Sequence, residues 1–295
     1  MLKKMNLILL LAVLAVGFLA GCEGERELTV GGKADTESHL LAQMAIQLLE
    51  EDGFTVEREP GVQSTLARRA LETEEVDLYY EYTGTAYTVY HEQDDQEIMT
   101  DSEAVYEWVK EADAEEEIIW LDRLNYNNTY TVMMREERAE EKDIETISDL
   151  VGGAGEEIKF ATDSEFYERP DGYSALVEEY DLEFGEVDRM SAGIIYEALR
   201  EGEIDSGTGY STDGRIEAFG LVNLEDDRDF FPVYNPAPTV KEEVLEEFPE
   251  IEEILAPLAE ELSGEDIRRL NGEVDIEHRE AEDVAQEWLE EEGLI

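Results

Sequence analysis

One cysteine, three histidines and 22 basic residues in 295 are what this chain has little of. With Cys22 the only thiol, no internal disulfide is available, and no second cysteine remains for catalysis or a zinc site. His39, His91 and His278 lie far apart and lack the His-Glu-x-x-His spacing of a zinc protease, so they make no evident metal site. Against the 22 Lys and Arg stand 78 Asp and Glu, a formal charge of −56 that disfavours nucleic acid and anionic lipid headgroups as partners. No long Pro/Gly/Ser linker and no internal repeat interrupts the chain, so any division into domains has to be made by short crossing segments.

The N-terminus has its own pattern. Lys3 and Lys4 precede an apolar run from Leu7 to Ala20 that ends in Leu19-Ala20-Gly21-Cys22, the basic, apolar, small-residue order of a secretory signal. The run is too short for a comfortable membrane span. Its ending resembles the bacterial lipobox, which implies a signal over residues 1–21 and a lipid on Cys22; a plain signal with a chance cysteine, or an uncleaved anchor, is the alternative. Removing residues 1–21 takes two lysines away, so the formal charge moves from −56 to −58.

Such acidity with few aromatics would mean disorder, yet 42% of the residues are hydrophobic and aromatics occur along the whole length. Glu242, Glu243, Glu246 and Glu247 alternate with Val244, Leu245 and Phe248, which puts the acids on the outer face of a helix. The pattern reads as a halophilic surface, tolerable where salt screens self-repulsion to within roughly 3 Å at 1 M. A calcium-storing role is disfavoured, because the carboxylates lack the spacing of an EF-hand loop.

Strand-like and helix-like stretches alternate, which argues for an α/β architecture. Glu27–Gly31 reads as a strand, with a helical stripe of Leu40, Leu41, Met44, Leu48 and Leu49 after an N-cap at Asp35 or Thr36. Similar units continue to about Ser211, and the C-terminal third is helical. Two lobes are expected, 27–126 plus 235–295 and 127–234, with crossings near Leu124–Asn128 and Phe231–Asn235. In open α/β sheets, ligands bind beyond the carboxyl ends of strands.

Five tyrosine-bearing segments fall at such ends: Glu81-Tyr82-Thr83-Gly84-Thr85, Asn127-Asn128-Thr129-Tyr130, Arg169-Pro170-Asp171-Gly172-Tyr173, Tyr210-Ser211-Thr212-Asp213-Gly214-Arg215-Ile216 and Phe230-Phe231-Pro232-Val233-Tyr234. Aromatic faces attract a cation that has no N–H to donate, so a methylated ammonium compound is the expected ligand. Four such rings would supply on the order of 8 kcal/mol before ordering costs.

Taken with Gly32-Lys33, Thr36-Glu37, Asp77-Leu78-Tyr79 and Ile147-Ser148-Asp149-Leu150, these segments resemble, in order and spacing from about residue 27 to the C-terminus, the substrate-binding proteins of osmoprotectant ABC transporters of the glycine betaine, choline and carnitine type. The resemblance implies a periplasmic-binding-protein-like (type II) fold with two α/β lobes, the ligand in the cleft and closure of a hinge. It implies no reaction and no cofactor; the partners would be a quaternary ammonium ligand, the ABC permease and ATPase subunits, and the outer face of the cell membrane through Cys22. Tyr82, Tyr130, Tyr210 and Tyr234 would surround the ammonium group, with Asn128 in support, while Lys33, Thr85 and Arg169 would meet a carboxylate. An anion-reading end favours glycine betaine or proline betaine over choline, with choline or carnitine as the alternative ligands.

Three places depart from the family's pattern. Ser38 stands where a glutamine is frequent, Asn235-Pro236-Ala237-Pro238 is a proline-rich exit, and Ser206-Gly207-Thr208-Gly209 is weakly strand-forming. Arg215 and Asp213 read as a structural ion pair or a turn. An exported enzyme acting on a choline-like substrate would have to use Ser211 and Asp213, with no histidine nearby in sequence. An adhesive or ion-buffering lipoprotein would bind no small ligand.

Overall fold

The computed structural model describes residues 26–152 and 157–295. The expected signal, residues 1–21, and the expected lipid attachment at Cys22 lie outside the described residues. In chain order the strands are β1 (Glu27–Val30), β2 (Thr55–Arg58), β3 (Leu78–Tyr82), β4 (Ile118–Trp120), β5 (Tyr130–Arg135), β6 (Lys159–Thr162), β7 (Glu186–Arg189), β8 (Ser206–Tyr210), β9 (Leu221–Asn223) and β10 (Pro236–Lys241). They form two five-stranded sheets, ordered β2-β1-β3-β10-β4 and β7-β6-β8-β5-β9.

The sheets share one plan. Each has three parallel strands followed by an antiparallel strand that has just arrived from the other sheet: β10 against β3 in the first, β5 against β8 in the second. This is the two-lobe type II arrangement expected from the sequence. The crossing segments run side by side, with the Asn128 N–H donating to the Tyr234 carbonyl at 3.0 Å, the Tyr234 N–H to Asn127 Oδ1 at 2.8 Å, and Asn235 Nδ2 to the Tyr126 carbonyl at 2.6 Å. Side-chain amides thus bond the connections where neither sheet does.

The helices that matter to the site are α1 (Thr36–Glu51), α2 (Ser64–Glu72), α3 (Ser164–Glu168), α4 (Ala192–Glu201), α5 (Glu250–Glu261), α6 (Gly264–Asp275) and α7 (Ala281–Glu292). Helix α1 starts at Asp35, whose carboxylate takes the Ser38 N–H at 2.8 Å, an N-cap that satisfies a donor the helix cannot. Its Leu40, Leu41, Met44 and Leu49 are fully buried in one cluster with Leu258 of α5, Ile267 of α6 and Trp288 of α7. Burying side chains of this size contributes about 1.5–3 kcal/mol each, so the C-terminal third clamps the first lobe and holds the start of α1 in place. The second lobe packs Val132, Met134, Phe160, Phe166 and Leu176 on its own sheet. Glu242, Glu243, Glu246 and Glu247 are exposed, as their spacing predicts.

The proline-rich exit after Tyr234 is a central strand. β10 lies between β3 and β4 although it carries Pro236 and Pro238. Both prolines serve there as acceptors only, to the N–H groups of Leu124 at 2.8 Å and Leu121 at 2.9 Å, while β4 pairs with the strand from Thr239 onward. The missing N–H groups therefore cost the ladder nothing, which is how proline escapes its usual confinement to edges.

Candidate functional site

A cavity of about 390 Å³ lies between the lobes, and all eight residues expected at the ligand line it. Lys33 follows β1, Tyr82 ends β3, Thr85 closes the helical turn after it, Tyr130 opens β5 and Tyr210 ends β8. Asn128 and Tyr234 come from the two crossing segments, and Arg169 caps α3. Strand ends from both sheets and both crossings thus converge on one space.

The tyrosines form a box around Tyr130. Its ring centre is 5.1 Å from that of Tyr210 at 40° and 5.7 Å from that of Tyr234 at 83°, with Phe166 behind it at 4.6 Å. Tyr82 belongs to the same buried cluster. Burial pushes the hydroxyl pKa of each of the four well above its ordinary value, so all stay neutral and keep their ring faces electron-rich. Inclined walls of this kind present several faces to one cation.

At the polar end both cations are already paired within the protein. Arg169 does not offer a full fork, because Asp171 takes it: Nε donates to Oδ1 at 2.8 Å and Nη2 to Oδ2 at 2.7 Å. What remains is the Nη1 edge, 3.3 Å from Thr85 Oγ1 and 3.7 Å from Glu165 Oε1, with the guanidinium carbon 5.3 Å from the Tyr130 ring centre and 5.7 Å from that of Tyr234. Burial works against the Arg169 charge, yet Asp171 and the surrounding groups outweigh it and hold its pKa above the ordinary value. Nor is Lys33 an unpaired point charge. Its ammonium is ion-paired to the fully buried Glu81, above the Tyr82 ring at 4.7 Å. The other Glu81 oxygen takes the hydroxyls of Tyr79 and Tyr90, both at 2.7 Å. Those two tyrosines, which lie outside the expected box, are donors to the carboxylate behind Lys33.

Acidic groups also reach the lining: Asp35, Asp163 and Glu165. Asp163 caps α3 by accepting the N–H groups of Glu165 at 2.8 Å and Phe166 at 3.0 Å, and burial raises its pKa. With Lys33 and Arg169 each matched by a carboxylate behind them, these three give the cavity a negative balance. Sequence reasoning missed Asp163, Glu165, Asp171 and Glu37. For Asp171 and Glu37 a signal existed, since both sit inside the motifs that carry Arg169 and the start of α1.

No catalytic constellation is present in this space among the described residues. Ser211 donates to the Asn127 carbonyl at 3.2 Å, and Asp213 is bound by Arg215 through Nε at 2.9 Å, the ion pair expected from the sequence. His91 sits on the buried Asp113 at 2.7 Å and does not line the cavity.

An aromatic box in a cleft between two lobes joined by a two-segment crossing is the arrangement of a solute-binding protein. Residues 26–291 match the model of the substrate-binding domain of ABC-type glycine betaine transport systems, and the chain belongs to that family. It is therefore an extracytoplasmic binding component of an ABC import system. Among its relatives is the glycine-betaine-binding protein of Pseudomonas aeruginosa, 37% identical over 94% of this chain and 92% of that one. Another is the carnitine transport binding protein OpuCC of Listeria monocytogenes, 33% identical over 92% of this chain and 88% of that one. A solved structure described as a glycine betaine/carnitine/choline ABC transporter superposes with a TM-score of 0.75 at 28% identity, covering 90% of this chain and 99% of that one.

Proposed function

We propose that this chain captures glycine betaine, or a closely related quaternary ammonium zwitterion, and delivers it to an ABC permease and its ATPase subunits. The observation that carries the reading is the Tyr130 box with the Arg169 edge beside it: rings for the methylated ammonium, an N–H edge for a carboxylate. In this reading Tyr82, Tyr130, Tyr210 and Tyr234 wall the cation, Asn128 supports them, and Thr85, Lys33 and Arg169 meet the anion. Four desolvated rings at about 2 kcal/mol each, less the costs of ordering, are compatible with micromolar binding. The lobes are taken as 27–126 plus 235–295 and 127–234, and ligand closes them into the form the permease accepts. A lipid on Cys22 tethers the mature protein to the outer face of the cell membrane.

The negative balance from Asp35, Asp163 and Glu165 favours a second reading, in which choline, a net cation, is preferred. Calorimetry of the mature protein at high salt decides between them. Glycine betaine binding more tightly than choline supports the first reading, the reverse order supports the second, and silence toward betaine, choline and carnitine abandons both. Replacing Cys22 with Ser tests the anchor, since the variant is expected in the soluble fraction.

A further inference from the structure

We propose that Glu37 is a positioning residue that couples the aromatic box to lobe closure, one carboxylate holding a wall of the box, the crossing segment and the second lobe together. The inference rests on the binding reading above and extends it to a residue that contacts no ligand in that reading.

Glu37 lies in the first turn of α1 and is 3% exposed. One of its oxygens accepts the Tyr82 hydroxyl at 2.9 Å and the Tyr126 hydroxyl at 3.1 Å. The other accepts the Thr212 hydroxyl at 2.6 Å and lies 3.5 Å from Asn271 Nδ2. Tyr82 is a cage wall on the first sheet, Tyr126 is in the crossing segment, Asn271 is on α6, and Thr212 follows β8 on the second sheet. A buried carboxylate is tolerated only when donors surround it, and here the donors come from both lobes.

The segment that brings Thr212 is built to dock. Asn271 Nδ2 donates to the Thr212 carbonyl at 3.1 Å, and Arg215 reaches across to Asp275 of α6 at 3.0 Å. Between these bonds the two backbones touch: a Cβ on Gly214 would lie 2.9 Å from the Gly272 Cα and 3.0 Å from the Arg268 carbonyl. Only glycine allows that approach. Thr212–Arg215 is therefore a foot of the second lobe standing on α6 and Glu37 of the first.

Separating the lobes removes the Thr212 and Asn271 bonds between them but leaves Tyr82 and Tyr126 on Glu37, all within the first lobe and its crossing. In this proposal a cation on the Tyr82 ring fixes that ring, its hydroxyl fixes Glu37, and a fixed Glu37 presents its second oxygen to Thr212. Linkage then requires that closure on Thr212 strengthen ligand retention in return. Because the latch forms after encounter, its loss speeds ligand release and leaves capture unchanged.

Rapid-mixing kinetics with glycine betaine on the full mature chain, together with small-angle scattering of the unliganded protein, test this. Thr212→Val keeps shape and removes one hydroxyl donated to a charged group; the release rate is expected to rise about tenfold with the capture rate within twofold. Glu37→Gln should raise release similarly, and the double variant should be no worse than the worse single one. The unliganded Thr212→Val protein should show a larger radius of gyration. A release rate and radius in Thr212→Val equal to wild type overturn the latch, as does full multiplication of the two losses. If the wild type binds none of the ammonium ligands, the binding reading falls by itself, and scattering alone then decides the latch, with equal radii rejecting it.

Discussion

Arg169 and Asp171 are joined by two parallel hydrogen bonds, at 2.8 and 2.7 Å, and the same Asp171 accepts the Tyr234 hydroxyl at 2.7 Å and the Thr88 hydroxyl at 2.7 Å. Asp171 and the guanidinium lie on the second lobe, Thr88 on the first, and Tyr234 in the returning crossing segment. The carboxylate therefore fixes which edge of Arg169 faces the cavity. It also takes up two of the guanidinium's three nitrogens, so in the proposed reading a ligand carboxylate would meet Nη1 alone and not a bidentate fork.

Arg169→Met should consequently act on ligand choice more than on ligand binding as such. A hydrogen bond to a charged group contributes about 1.5–3 kcal/mol, which corresponds to roughly 10- to 100-fold for a zwitterion. Choline has no carboxylate to lose, and its affinity should change far less. Calorimetry with both ligands gives the ratio; an equal loss for the two would remove Arg169 from the anion end.

Tyr130→Leu tests the box at its centre. Leucine keeps the space filled against Phe166 but presents no π face to the cation, and Tyr130 adjoins both Tyr210 and Tyr234. The expected loss is about 2 kcal/mol, near 30-fold in affinity. Thermal melting without ligand should change little, and an unchanged affinity would contradict the cage.

The alternation of strands and helices and the α1 cap were legible because each has a local chemical signal, whereas the convergence of the tyrosines followed only from the resemblance carried by the ordered motifs. Other features depend on partners distant in sequence. The weakly strand-forming Gly209 is required by β8's neighbours: a Cβ there would lie 2.3 Å from Met133 Cε and 2.5 Å from the Tyr196 hydroxyl, which itself receives the Tyr210 N–H at 2.8 Å. The prolines of β10 hid a strand, since their harmlessness follows from where Leu121 and Leu124 donate. The partner of Lys33 was hidden because, among 78 acids, nothing local marks Glu81, 48 residues further on, as one that is turned inward, whereas the partner of Arg169 stands two residues away in its own motif.

Glu37 gives stability a definite pH dependence. Burial pushes its pKa up to about 7, against the hydroxyl of Thr212, with Asp35 adding to the rise and the Tyr82 and Tyr126 hydroxyls opposing it. Facing it from the other packed elements are Asn271 and Asp275 on α6, and Asp213 and Arg215 beside Thr212. Between the ordinary carboxylate value and about 7, the folded chain holds a proton that the unfolded chain has released. The stability from this group is thus full below the ordinary value and is lost as pH rises through about 7, by on the order of 3 kcal/mol. Glu37→Gln is neutral throughout, so its melting temperature relative to wild type should climb between pH 5 and pH 8.5; a constant difference would show that the carboxylate carries no buried charge.

Salt should act on the surface more than on the box. Glu37, Glu81, Asp113 and Asp213 are the buried acids among the described residues, so most of the −56 formal charge faces solvent, where self-repulsion is screened over about 10 Å at 0.1 M and about 3 Å at 1 M. The melting temperature should therefore rise on the order of 10 °C from 0.1 to 2 M KCl. Ligand affinity should move much less, because ring faces and an enclosed guanidinium edge interact across a space from which ions are excluded. Differential scanning calorimetry and ligand titration across the same salt series check both parts. An affinity that falls with salt as steeply as stability rises would mean that exposed charge, and not the aromatic box, supplies the binding energy.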